Sequence, residues 1–169
     1  MLAGLPERGK VLDLGAGGGV PGLVLATYRP ELELTLLDAR QRACRFLREA
    51  VARLGVPGVV VEARAEEAAR RPELRETFDG VVARSFGPPP VTAECAVGFL
   101  RPGGRLVVSE PPDSDDIRWP PGGLDTLGFG PAGRGGGLET SFVTLEKIRA
   151  DDRWPRRVGV PAKRPQWRT

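Results

Sequence analysis

Val11-Leu12-Asp13-Leu14-Gly15-Ala16-Gly17-Gly18-Gly19-Val20-Pro21-Gly22 decides how the rest of this chain is read. The apolar run from Val11 reads as a buried parallel strand, because a strand covered on both faces has no need of polar alternation. The glycines after it read as a tight turn whose backbone can come close to a ligand, and Pro21 as the first residue of a helix. Strand, glycine loop and helix N-terminus together open a nucleotide-binding α/β unit.

Gly17 to Gly22 fits GxGxxG, a pattern that specifies little by itself. Asp13 separates the cofactors. A carboxylate two residues before the first glycine would meet the pyrophosphate of NAD or FAD with like charge. S-adenosylmethionine has no phosphate but carries an ammonium and a sulfonium, and its own carboxylate can take the positive end of the helix that starts near Pro21. The spacing Asp-x-Gly-x-Gly-x-Gly resembles the first motif of class I methyltransferases, and that resemblance implies S-adenosylmethionine as the cofactor. A glycine-rich turn that bound nothing would be an entropically costly way to turn a corner.

With 169 residues the chain suits one well-buried domain. No apolar run is long enough to span a bilayer, and Met1 to Lys10 lacks the pattern of a signal peptide, so a cytoplasmic protein without membrane contact is expected. Cys44 and Cys95 stand apart and histidine is absent. That excludes the usual zinc sites and any Ser-His or Cys-His nucleophile. The net charge of +3 is lopsided: Lys147, Arg149, Arg153, Arg156, Arg157, Lys163, Arg164 and Arg168 face only Asp151 and Asp152, and the first 146 residues are net acidic. Residues 1–150 are therefore expected to form the catalytic domain and 151–169 a basic, proline- and arginine-rich tail without a core of its own. Such a tail suits a polyanion, or simply a solvated surface.

Strands are expected at Val11–Gly15, Leu32–Asp38, Val59–Val61, Phe78–Arg84 and Arg105–Glu110. Helices are expected at Pro21–Tyr28, Arg40–Leu54, Ala65–Arg71 and Pro90–Leu100. In Arg40–Leu54 the apolar stripe is Ala43, Phe46, Leu47, Ala50, Val51 and Leu54, and Gly55 is the stop. From Pro111 the prolines and glycines leave little room for a helix, so a loop to Gly123 and an edge strand at Leu124–Phe129 are expected. Leu138–Ile148 would close the sheet antiparallel to its neighbour. The fold class is α/β: a mostly parallel twisted sheet with an antiparallel last strand and helices on both faces, Rossmann-like.

Ligands of such sheets sit beyond the C-terminal strand ends, where strand order reverses. Asp38 would accept both ribose hydroxyls, a charge-assisted contact worth about 1.5–3 kcal/mol. Ala65 and Glu66 would border the adenine, while Glu67 has an ordinary reason to sit in a first helical turn. Arg84 follows the fourth strand and would point to substrate, since its charge repels a sulfonium; a structural arginine in a salt bridge explains it equally well. The expected cofactor set is Asp13, Gly15, Ala16, Gly17, Gly19, Asp38, Ala39, Ala65, Glu66 and Arg84, with Arg84 also the substrate-side candidate and no base or metal ligand.

Asp13 to Gly22, Arg29-Pro30, Thr35-Leu36-Leu37-Asp38, Arg45-Phe46-Leu47-Arg48, Arg64-Ala65-Glu66-Glu67, Phe78-Asp79-Gly80-Val81 and Ala83-Arg84-Ser85, in that order, resemble the glucose-inhibited division protein B family. The tail from Trp154 to Pro165 is similar to the tails of many members. The resemblance implies a class I methyltransferase that methylates a guanine N7 in small-subunit ribosomal RNA (16S rRNA) with S-adenosylmethionine, the small ribosomal subunit as partner through the basic tail, and a monomer. Guanine N7 offers a free lone pair, so positioning suffices and no base is needed. Members carry a helical segment before the first motif, whereas Val11 lies almost at the start here. They also show Lys-Gly where this chain has Glu110-Pro111, a charge reversal expected to face RNA. A methyltransferase acting on a small molecule, and a non-catalytic RNA-binding module, are the other readings of the same residues.

Overall fold

The apolar run forms β1 (Gly9–Leu14), in the middle of the sheet. Val11 to Leu14 pair in parallel with Leu34 to Leu37 of β2 (Leu32–Asp38) on one side and with Gly80 to Ala83 of β4 (Phe78–Ala83) on the other. Being covered on both faces, β1 carries no polar side chain in that stretch except Asp13. The computed structural model describes residues 4–111, 114–137 and 140–168. The remaining strands are β3 (Val59–Glu62), β5 (Leu100–Glu110), β6 (Gly133–Gly137) and β7 (Thr140–Glu146), and the sheet runs β3-β2-β1-β4-β5-β7-β6. β7 is antiparallel to both β5 and β6, as the sequence leads one to expect for the last strand.

Helices cover both faces. Leu25 of α1 (Gly22–Tyr28) and Leu47 of α2 (Gln41–Leu54) pack with Val11, Leu34 and Leu36. On the other face Leu12, Leu14 and Leu37 meet α3 (Ala65–Ala68), α4 (Pro89–Val97) and α5 (Pro121–Leu127). Gly55 ends α2 with a left-handed φ of 62°, the conformation that costs glycine least. One expectation for α2 fails: Cys44 and Leu47 hold the buried face, while Phe46 is 49% exposed.

The region after Pro111 also differs. Leu124–Phe129 is not an edge strand. Pro121 opens α5, Leu124 and Leu127 are buried, and Gly128 closes it at φ 87°. Two glycines inside a helix cost about 1 kcal/mol each relative to alanine. Gly123 is nevertheless required, because a Cβ there would lie 2.9 Å from Cδ2 of Trp167. The edge strand is β6, where a Cβ at Gly135 would sit 2.6 Å from the Phe142 ring. Leu138 and Glu139, at the start of the expected last strand, lie outside the described residues.

Glu110 does not present a charge to the surface either. Its side chain is buried, and Oε2 lies 2.9 Å from Arg118 Nε, at ion-pair distance but not in hydrogen-bond alignment. Residues 151–168 pack back on the domain. Trp154 is buried, its Nε1 donates to the Thr126 carbonyl at 3.2 Å, and Trp167 Nε1 donates to the Arg118 carbonyl at 3.0 Å.

Candidate functional site

Strand order reverses between β1 and β4, so their C-terminal ends flank a crevice. The chain leaves β1 through Gly15, Gly17 and Gly19, all at positive φ (71°, 53° and 84°). The turn is fixed by its own backbone: Ala16 N–H donates to the Leu37 carbonyl at 2.9 Å, and Gly19 N–H to the Ala16 carbonyl at 2.7 Å. Gly15 must also be small, because a Cβ would fall 2.6 Å from Phe86 Cδ2. Beside this loop lies a cavity of about 300 Å³, within the usual range for small-ligand sites. Gly15, Asp38, Ala39, Ala65 and Glu66 line it, as the sequence indicates. Val91 and Cys95 of α4 line it as well, and burial raises the Cys95 thiol well out of nucleophilic range.

Asp38 ends β2 with its carboxylate fully engaged. Oδ1 accepts from Arg40 N–H at 2.8 Å and Arg40 Nε at 3.1 Å; Oδ2 accepts from Gly17 N–H at 2.9 Å and Arg40 Nη2 at 3.2 Å. Burial alone would raise its pKa, but the Arg40 side chain and the two backbone donors outweigh this and hold it below the ordinary carboxylate value. Ala39 follows at the cavity wall, whereas Arg40 is 73% exposed at the side chain.

Asp13 is 1% exposed and sits under the loop, not among the residues lining the cavity. Its Oδ2 accepts the Gly22 N–H at 2.8 Å, which ties the strand to the start of α1. Burial raises its pKa to about 7, against the lowering effects of the Gly22 N–H and the charge of Arg84. Arg84 is exposed just beyond β4. The structure thus brings Gly15, Asp38, Ala39, Ala65 and Glu66 to one cavity, gives Ala16, Gly17 and Gly19 the shaping of the loop, and places Asp13 behind it.

Sequence reasoning misses Arg64, Phe86 and Ala162, which also line the cavity. Ala162 belongs to α6 (Val160–Lys163), within the C-terminal segment. The preceding Gly159, at φ 76°, donates its N–H to Glu66 Oε1 at 3.0 Å, and Arg64 Nη2 lies 3.4 Å from the same oxygen. The segment is clamped by Arg156, whose N–H, Nε and Nη2 reach the fully buried Glu94 carboxylate at 3.0, 2.8 and 2.6 Å. Four cations of the basic segment are already neutralised within the fold: Lys147 by Glu76, Arg149 by Asp125, Arg153 by Asp151 and Arg156 by Glu94. Arg157, Lys163, Arg164 and Arg168 are exposed and pair with no acid among the described residues.

A mostly parallel seven-stranded sheet with its cavity at the switch point is the architecture of class I, Rossmann-like methyltransferases. Solved structures share it: the S-adenosylmethionine-dependent methyltransferase SibL (TM-score 0.66, 23% identity, 84% of this chain and 51% of that one) and the antibiotic-resistance methyltransferase Kmr (TM-score 0.63, 19% identity, 87% and 90%). Residues 2–111 match the GidB family, described as rRNA small subunit methyltransferase G, and the chain belongs to that family. It is 36% identical to ribosomal RNA small subunit methyltransferase G of Moorella thermoacetica (95% of this chain, 71% of the relative) and 38% identical to that of Deinococcus deserti (92% and 68%).

Proposed function

We propose that this chain transfers a methyl group from S-adenosylmethionine to the N7 of a guanine in 16S ribosomal RNA. The observation that carries the reading is the Asp38 carboxylate set into a cavity beside a glycine loop, at the end of the strand next to β1. The donors and acceptors there fit the cofactor. Asp38 accepts the ribose hydroxyls in place of the exposed Arg40 side chain, the Ala65 backbone and the Glu66 carboxylate border the adenine, and Gly15, Ala16, Gly17 and Gly19 let the backbone approach the methionine part. Asp13 supports the loop from below through the Gly22 N–H, and Ala39 closes the ribose side.

When bound, S-adenosylmethionine supplies an activated methyl group. The chain's own task is to hold guanine N7 in line with it and to keep water out. That task needs no base, in keeping with a chain that has no histidine. Arg84, exposed beyond β4, faces the substrate side. Residues 1–150 form the methyltransferase domain, and 151–169 add Arg157, Lys163, Arg164 and Arg168 as contacts for RNA phosphates. We take the chain to act as a monomer, and a ribosomal substrate places the work in the cytoplasm. Among the described residues no helix is long and apolar enough to cross a membrane. The Glu110 charge that would favour a small-molecule substrate is turned inward to Arg118, which removes that ground for the reading.

The test is incubation with methyl-labelled cofactor and unmodified small ribosomal subunits. Label in guanine N7 of the RNA is the expected result. Tight cofactor binding with no label in RNA would reject the substrate while keeping the cofactor site.

A further inference from the structure

Beside the cofactor cavity, on the outer side of the glycine loop, lies a second and more open groove of about 510 Å³. Its walls are Gly17 and Gly18 of the loop and Arg40, Arg42, Ala43 and Phe46 from the start of α2. Three observations make it more than a surface irregularity. Phe46 occupies a position of the helical apolar stripe yet is 49% exposed in the groove, when Leu47 beside it is fully buried. Arg42 in the groove, and Arg45 in the adjoining groove that shares Arg42 with it, are exposed and meet no acid at ion-pair distance among the described residues, whereas Arg48 pairs with Glu62 and Arg40 with Asp38. Gly18 leaves the opposite wall bare, with nothing within 4 Å of where a Cβ would stand.

Unneutralised guanidinium groups in and next to a groove that holds a half-exposed ring are a combination suited to single-stranded nucleic acid. The cations meet backbone phosphates and the ring takes a base face. A folded protein partner would be a poorer match, because apart from the loop glycines and the arginines the only side chains lining the groove are one ring and one alanine, too few apolar anchors for an interface core. Glu49, one turn past Arg45, marks the end of the purely basic stretch.

We propose that this groove is a docking site for a single-stranded segment of the RNA substrate, with a base against Phe46, one phosphate on Arg42 and the next on Arg45 in the adjoining groove. The inference rests on the rRNA reading above and adds the place on the protein where RNA flanking the target is gripped. The groove shares the glycine loop with the cofactor cavity but uses its opposite side.

The experiment is a binding titration without cofactor, using naked unmodified 16S rRNA and, separately, intact small subunits, at several salt concentrations. Arg42→Gln/Arg45→Gln keeps helix propensity, since glutamine and arginine are close on that scale. With naked RNA it should lower the slope of log K against log salt by about 1.4, roughly 0.7 for each single-strand phosphate contact. Phe46→Ala should weaken binding about tenfold with little change of slope. Arg42→Lys/Arg45→Lys should keep the wild-type slope, as a phosphate contact needs only the charge. Cofactor affinity and melting temperature should match the wild type in all three. An unchanged affinity and slope in the glutamine variant would overturn the proposal, and so would a loss confined to intact subunits, which would mean a ribosomal protein in the groove. Because the titration reads RNA binding alone, its failure is distinguishable from failure of the methyl-transfer assay, which would instead remove the function proposed above.

Discussion

Arg156→Ala should do more damage than its place near the end of the chain suggests. Glu94 lies inside α4 with no solvent exposure, and three of the hydrogen bonds to its carboxylate come from Arg156. Alanine keeps the backbone N–H but removes the guanidinium, leaving a buried carboxylate without its counter-charge. Breaking such a pair from one side costs about 3–5 kcal/mol, a large part of a typical stability of about 5–15 kcal/mol. At about 2–4 °C per kcal/mol for a domain of this size, the melting temperature should fall by about 6–20 °C. Arg156 also donates to the Arg164 carbonyl at 2.7 Å, so it closes the segment that carries Gly159 and Ala162 to the cavity. Loosening that segment should therefore weaken cofactor binding as well. Urea unfolding and calorimetric titration with S-adenosylhomocysteine measure the two effects. Arg153→Ala is the control, since its guanidinium is 70% exposed and solvent screens its pair with Asp151, so the loss should be far smaller. If Arg156→Ala were as stable as that control and bound cofactor as tightly as the wild type, the clamp would be refuted.

Further predictions concern the loop and its two acids. Burial raises the Asp13 pKa from 3.8 to about 7, so the folded state holds this proton more tightly than the unfolded one. The group's contribution to stability is then fully present below about pH 4 and is lost as pH rises to about 7. Asp13→Asn cannot ionise and keeps an oxygen for the Gly22 N–H, so it should gain roughly 2–3 kcal/mol on the wild type between about pH 5 and pH 8; parallel stability curves would contradict this. Gly15→Ala combines a positive φ with a clash on Phe86 and should cost about 1–3 kcal/mol, whereas Gly18→Ala, in open space, should stay within about 0.5 kcal/mol. Equal melting temperatures for the two would count against the loop geometry. Arg40 fills all four acceptor positions of Asp38 together with Gly17. Arg40→Ala should therefore tighten cofactor binding several-fold by freeing acceptors for the ribose, and Asp38→Ala should weaken it at least about tenfold; weaker binding in Arg40→Ala would show that the arginine helps instead of competing.

The first half of the fold is legible in the sequence because its signals are local. β2 and α2 follow from an apolar run, a helical stripe and Gly55, and the cavity residues Asp38, Ala65 and Glu66 follow from their place at strand ends. The region after Pro111 misleads because its glycines are there for reasons far away in the chain. Trp167 needs Gly123 bare, and Phe142 needs Gly135 bare. Read by propensity, the first is a loop running into an edge strand at Leu124–Phe129 and the second a loop, yet the first is a helix and the second a strand. Glu110 is similar: its type suggests surface, and only the position of Arg118 shows that it faces inward. Phe86 and Ala162 carry no chemical signal at all, since each contributes only shape to the cavity wall. Phe46 has the right spacing for the core and still faces out, because Cys44 and Leu47 already fill the surface that α2 lays on the sheet.

Ala162 and Gly159 have a consequence for how the protein is made. Synthesis delivers β1 to β5 first, then the β6–β7 hairpin, so the sheet can be complete while the outer wall of the cavity is still missing. A nascent chain would carry a finished fold and an unfinished site. The contact between residues 66 and 159 joins positions 93 residues apart in the chain, and closing it is a late event with a large loop to order. Competence to hold cofactor should therefore trail the appearance of secondary structure, both on the ribosome and in refolding from denaturant.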